Sequence, residues 1–142
     1  MFKVSIETIP HNNQRYETCG DWQFDHIHNR LIIKVSDLGD WKMEACLAFH
    51  EMIEAIRCES DGITEHQVDV WDSNFKGDGE PGDDPKAPYH KQHVEATRCE
   101  RVMARQLGVD WEKYEKKLNS LVYKGVLNVD ETANRIKPQT NP

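Results

Sequence analysis

The sequence contains no CxxC pair, no glycine-rich phosphate loop, no GxSxG elbow and no apolar run near the ~20 residues that cross a bilayer. Each absence removes a class of function. Without CxxC spacing, the four cysteines (Cys19, Cys46, Cys58 and Cys99) are expected as buried, reduced thiols and not as a zinc ribbon or a disulfide framework, which suits a reducing cytoplasm. None sits beside a base, so thiol, serine and P-loop chemistry are set aside. Basic residues are also scarce. Eighteen Lys and Arg stand against 25 Asp and Glu, a net charge of −7, so a phosphate-tracking surface and a nucleic-acid partner are not expected. Lys113, Lys116 and Lys117 alternate with Glu112 and Glu115 and read as a solvated helix face. Met1 to Ile9 alternate in polarity and form neither a signal-peptide core nor a span, so no membrane partner is expected and the expected location is cytoplasmic.

What remains is an ordinary length for one core: 142 residues, 37% hydrophobic and 30% charged. The spacing predicts one α+β domain over 1–125, with a β-meander in 1–36, a helical part in 38–123 and a polar tail over 126–142. Phe2, Val4 and Ile6 alternate with polar residues, as in a half-buried strand. Arg15 to Cys19 is expected as a second strand, continued after a bend at Gly20 by Trp22 to Ile27; Asn29 marks a turn and Leu31 to Val35 a further strand. Together these predict an antiparallel β-meander of three or four strands, packed on a bundle of three long helices and one short helix. Asp40 caps the first helix, which runs to Ser60-Asp61-Gly62. Thr64 caps the short one, and a third runs from about Pro88 to Leu107. A fourth follows Asp110, and the polar stretch from Lys76 to Pro88 reads as a mobile acidic cover.

The chemistry concentrates in His50-Glu51-Met52-Ile53-Glu54. At about 100° per residue, His50 and Glu54 stand one turn apart on one helix face, as two ligands of one ion require, with Glu51 beside them. The main apolar arc of this helix comprises Trp41, Ala45, Ala48, Phe49, Met52, Ala55 and Ile56, while Met43, Leu47 and Cys58 flank His50 and Glu54. Both faces are therefore expected under cover. On the third helix, His93 and Glu100 interrupt the apolar stripe of Tyr89, Ala96, Met103, Ala104 and Leu107. Buried ionisable groups need partners. The economical arrangement brings the two faces together: His50, Glu54 and His93 bind a divalent cation, and Glu51 serves as catalytic base. Glu100, His90 and Asp72 are candidates for a fourth ligand or for orienting an imidazole. Zinc is the expected ion, with Mn, Fe and Mg also compatible with a carboxylate-containing set. The bland alternative is a His/Glu hydrogen-bond network that ties helices together. His11, His26, His28 and His66 fall in turns or on polar faces and are not expected as ligands.

The segment from His50 to Glu54 resembles the active-site helix of zincin-type metallohydrolases, with Glu54 in place of the second histidine of the common HExxH form. That resemblance implies that His50 and Glu54 bind zinc and that Glu51 is the general base of a hydrolase acting on a peptide or small molecule. A wider combination resembles small phage-encoded proteins: the HExxE segment, Val68 to Asp72, and Gly79 to His90 with His93, within residues 40 to 118. It implies a shared site, a host cytoplasm and a host protein as possible partner, without naming a reaction. Glu51-x-x-Glu54 with Asp69-x-x-Asp72 is also similar to the paired acidic motifs of all-α nucleoside triphosphate pyrophosphohydrolases, which would make these four carboxylates Mg²⁺ ligands. A third reading is a non-enzymatic binding protein in which the cluster is structural.

Overall fold

The central strand of the sheet is the most apolar one. In the computed structural model, which describes residues 2–122, β1 (Lys3–Ile9), β2 (Gly20–Asp25) and β3 (Arg30–Ser36) form a sheet of order β1-β3-β2. Leu31, Ile33 and Val35 of β3 are completely or almost completely buried. A strand flanked on both sides and covered on one face needs that composition, while the amphipathic β1 takes an edge. The α+β class agrees with the sequence, but the expected antiparallel meander does not form. β2 runs antiparallel to β3, from Gly20 opposite Val35 to Asp25 opposite Arg30, whereas β1 runs parallel to β3, from Lys3 beside Arg30 to Ile9 beside Ser36. The chain leaves β1, skips one strand position and returns along β2, so β3 inserts between them.

The second correction concerns Arg15 to Cys19, which is a bent connection and not a strand. Arg15 and Tyr16 both bond Asp21 and Asp69, an arrangement that successive strand residues, pointing to opposite faces, cannot make. The strand starts at Gly20. Asn29 closes the β2–β3 turn at φ 49°, a left-handed conformation that Asn tolerates better than most residues.

The helices lie close to the expected boundaries: α1 (Trp41–Ser60), α2 (Glu65–Asn74), α3 (His90–Leu107) and α4 (Trp111–Val122). The Asp40 carboxylate accepts from the amides of Lys42 and Met43 and caps α1. At α2, Thr64 and Gln67 form a reciprocal capping box. Gly108, at φ 69°, ends α3 in the left-handed region that glycine enters without strain. None of these helices is long and apolar enough to cross a membrane. The expected tail over 126–142 lies outside the described residues.

α1 lies across β2 and β3 and packs along α3. Of the two faces expected under cover, the structure buries the ionisable one fully and the apolar arc only in part. Deeply buried positions include Cys46, Leu47, His50, Glu51, Glu54 and Cys58, the face that carries the ionisable groups. Of the main apolar arc only Ala48 and Ala55 are fully buried; Ala45, Phe49 and Met52 are half-buried, Ile56 is more exposed still, and Trp41 is 66% exposed.

Candidate metal centre

His50, Glu51 and Glu54 come from the middle of α1, and His93 and Glu100 from the facing side of α3. All five are at least 92% buried, with Glu51 the most accessible at 8%. All but Glu51 meet as a continuous chain of contacts. Glu54 Oε2 lies 3.2 Å from His50 Nε2 and 2.9 Å from His93 Nδ1, and its other oxygen accepts the indole N–H of Trp22 at 2.9 Å. The far nitrogen of His50 meets Glu100 at 2.9 Å, and Glu100 in turn accepts the Tyr114 hydroxyl at 2.5 Å. The far nitrogen of His93 faces Asp83 at 3.0 Å and Glu80 at 3.1 Å.

One donor atom from each of His50, Glu54 and His93 lies within 4.8 Å of the other two. Two imidazole nitrogens and a carboxylate oxygen are a fitting set for a divalent cation with an open coordination position. The other ring nitrogen of each imidazole already rests on a carboxylate, which fixes ring orientation and raises ligand basicity. The residues can therefore hold a divalent metal. Glu100 contacts the ring nitrogen of His50 that faces away from the three clustered donor atoms.

Burial alone would lower the pKa of both imidazoles, but their carboxylate partners outweigh it and raise His50 and His93 well above the ordinary histidine range. For Glu54 the same contacts act in reverse: burial pushes upward, and bonds from His50 and His93 hold the carboxyl well below its usual range. Without an ion, these contacts favour the protonated imidazoles and the ionised carboxylate. Metal binding must release their protons.

Glu51 is different. Burial, and next the neighbouring Glu54 carboxylate, push it well above the usual carboxylate range. No hydrogen bond from a described residue reaches its carboxylate, which points toward a cavity of about 90 Å³ lined also by Thr18, Gly20, Asp72 and Tyr89. That volume accommodates several waters or a small substrate group. Gly20 is what gives Glu51 its place: a Cβ there would fall 2.5 Å from Glu51 Oε1.

The acidic cover is built into the site. Its Pro81–Asp83 segment forms a 3₁₀ turn, anchored by the Trp71 indole N–H donating to the Pro81 carbonyl at 2.9 Å. Gly82 lies so close to His93 that a Cβ would come within 2.5 Å of the ring. His90 meets the Gly82 carbonyl at 2.9 Å, so it braces the cover and stays out of the ligand set. Asp72 accepts the Tyr89 hydroxyl at 2.5 Å and contacts no imidazole. Asp69 is paired with Arg15. The four carboxylates Glu51, Glu54, Asp69 and Asp72 line one cavity, but all except Glu51 are engaged by other side chains. His11, His26 and His28 bond Ser36, Glu59 and Asp25, away from the cluster.

Sequence reasoning missed Trp22, Tyr114, Glu80 and Asp83. For Trp22 and Tyr114 there was a signal, since a buried indole or phenol needs a polar partner. Nothing in a glycine-rich acidic loop says which of its carboxylates turns inward. Comparison of the chain with protein-family models, curated proteins and solved structures finds no match.

Proposed function

We propose that this protein is a metal-dependent hydrolase, with zinc the favoured ion, held by His50, Glu54 and His93. The observation that carries the reading is the unpaired, cavity-facing Glu51 beside a three-donor cluster whose imidazoles are each braced from behind. A divalent ion supplies Lewis acidity and makes a bound water acidic enough to attack near neutral pH. With such an ion bound, Glu51 would accept a proton from the attacking water and pass it to the leaving group, a role that suits a carboxyl whose proton affinity is already raised. Trp22 and Glu100 hold Glu54 and His50 in place. Glu80 and Asp83 hold His93 and close the site on the solvent side.

A structural network is the second reading, and one observation favours it: every nitrogen and oxygen of His50, Glu54, His93 and Glu100 has a partner without any ion. Metal content separates the two. Elemental mass spectrometry of the purified protein and of folded His50→Ala and His93→Ala variants should give near-stoichiometric metal in the wild type and none in the variants. Protein that stays metal-free after incubation with zinc, manganese, iron and magnesium ions in turn would leave the cluster as a helix tie.

A further inference from the structure

The exposed side of β1 fits a second copy of this chain. In the parallel β1–β3 pair, the Lys3 amide donates to the Asn29 carbonyl at 2.8 Å, and the Ile9 carbonyl accepts the Asp37 amide at 2.7 Å. Both groups of a parallel-strand residue point the same way, so residues 3, 5, 7 and 9 face β3 while Val4, Ile6 and Thr8 turn their N–H and C=O groups outward. No described residue meets those outward groups. Among the described residues the strand has no proline, no bulge and no covering loop; the charges it does carry are Lys3 and Glu7.

The side chains beside that edge are apolar. Val4 is 41% and Ile6 55% exposed on the face that carries Leu31 and Ile33, because α1 covers β2 and β3 but stops short of β1. Ile6, Trp41, Phe49, Met52 and Met103 line the groove left between strand and helix. This is the part of the α1 apolar arc that the fold does not bury.

Charge selects the occupant. Strand Lys3-Val4-Ser5-Ile6-Glu7 is self-complementary in the antiparallel sense. A twofold axis at Ser5 sets Val4 opposite Ile6 of the second copy as a hydrogen-bonded pair, using the groups that point outward. Lys3 then faces Glu7 of that copy as a close non-hydrogen-bonded pair, twice per dimer, on the opposite side of the sheet. Moving the axis to Val4 or Ile6 keeps the hydrogen-bond parity but loses both ion pairs. We propose that the protein forms a twofold dimer by antiparallel pairing of β1 with β1, giving a six-stranded sheet in which the two apolar grooves close on each other. Isologous twofold contacts are the commonest form of homo-oligomer.

Charge reversal tests this on the full chain. Sedimentation velocity should show the wild type as a dimer, and Lys3→Glu or Glu7→Lys alone should weaken association at least about tenfold by placing like charges opposite each other twice. The Lys3→Glu/Glu7→Lys double variant should restore it. Hydrogen exchange adds a residue-level signature: amides of Val4, Ile6 and Thr8 are protected only in the dimer, those of Ser5 and Glu7 in both states. A monomer at every concentration overturns the proposal, and protected Val4 and Ile6 amides in that monomer would mean that the chain covers its own edge. A dimer indifferent to the single reversals, or not restored by the double one, overturns it equally.

Discussion

Replacing Glu54 by Gln separates the two roles that this carboxylate can have. The change keeps shape and leaves an oxygen for the Trp22 indole, but it removes the anion between His50 Nε2 and His93 Nδ1, at 3.2 and 2.9 Å. Hydrogen bonds to charged groups contribute about 1.5–3 kcal/mol each. Both imidazoles retain other carboxylates, Glu100 for one and Asp83 with Glu80 for the other, so neither is left as an isolated buried charge. The expected loss in metal-free protein is therefore about 2–3 kcal/mol, at the lower end of what breaking a buried pair costs. Urea denaturation in chelator gives this number directly. The sign with pH follows from Glu54 being held below its usual range: its contribution is fully present above the unfolded carboxyl pKa and disappears as pH falls through the folded value. Wild type and variant should converge in acid. Repeating the titration at a hundredfold excess of zinc over its dissociation constant should stabilise the wild type by about 2.7 kcal/mol and the Gln variant by almost nothing. Equal zinc stabilisation of both proteins would refute Glu54 as a ligand. A loss below about 0.5 kcal/mol in chelator, no larger than that of an ordinary surface substitution, would refute the buried network itself.

Gly20→Ala should displace the Glu51 carboxylate, whose Oε1, Cδ and Cγ would all lie within 2.8 Å of the new methyl carbon. Metal content should stay unchanged, while turnover of any substrate the wild type hydrolyses falls about 100-fold, the lower end for loss of general-base catalysis. Tyr114→Phe removes the hydroxyl that Glu100 accepts in a fully buried setting, so the metal-free protein should lose about 1–3 kcal/mol and zinc affinity should fall at least about tenfold, read by denaturation and competitive chelation. Asp72→Asn should act in the opposite direction. Burial pushes Asp72 up to about 7 despite the Tyr89 hydroxyl. Stability is then lost as pH rises from about 4 toward that value, because the unfolded chain has already released the proton that the folded state still holds. The Asn variant lacks this loss, so it should match the wild type near pH 4 and exceed it at pH 8 by up to about 4 kcal/mol, the equivalent of about 3 pKa units. Equal pH profiles in urea would show that Asp72 ionises freely.

Local punctuation made most of the helical part legible. Asp40, Thr64 and Gly108 act where their side chains or backbone freedom predict, since caps depend on a few neighbouring residues. The strands were legible as segments but not as a sheet. Alternation in Lys3–Ile9 says that one face is apolar, and nothing in it says whether the neighbour runs parallel or is next in the chain. That choice was made by the burial of β3 and by the connection through Arg15 and Tyr16, whose partner Asp69 lies 54 residues beyond Arg15.

The site was legible for a reason opposite to the one that usually makes a core legible. Apolar arcs locate cores because burying them is favourable, and on α1 that rule points toward Trp41 and Ile56, which among the described residues stay 66% and 37% exposed. His50, Glu54, His93 and Glu100 located the interface because burying them is unfavourable unless all are satisfied together, and the α1–α3 contact joins the four in one chain of partners. A polar group in an apolar stripe is thus the sharper constraint: hydrophobic residues accept any apolar neighbour, whereas an imidazole with two occupied nitrogens fixes register and distance at once. The same logic makes the uncovered arc informative. Among the described residues, a fold that turns its charged face inward and leaves an apolar groove beside an open strand edge places its specificity inside and its remaining hydrophobic surface where another strand can use it.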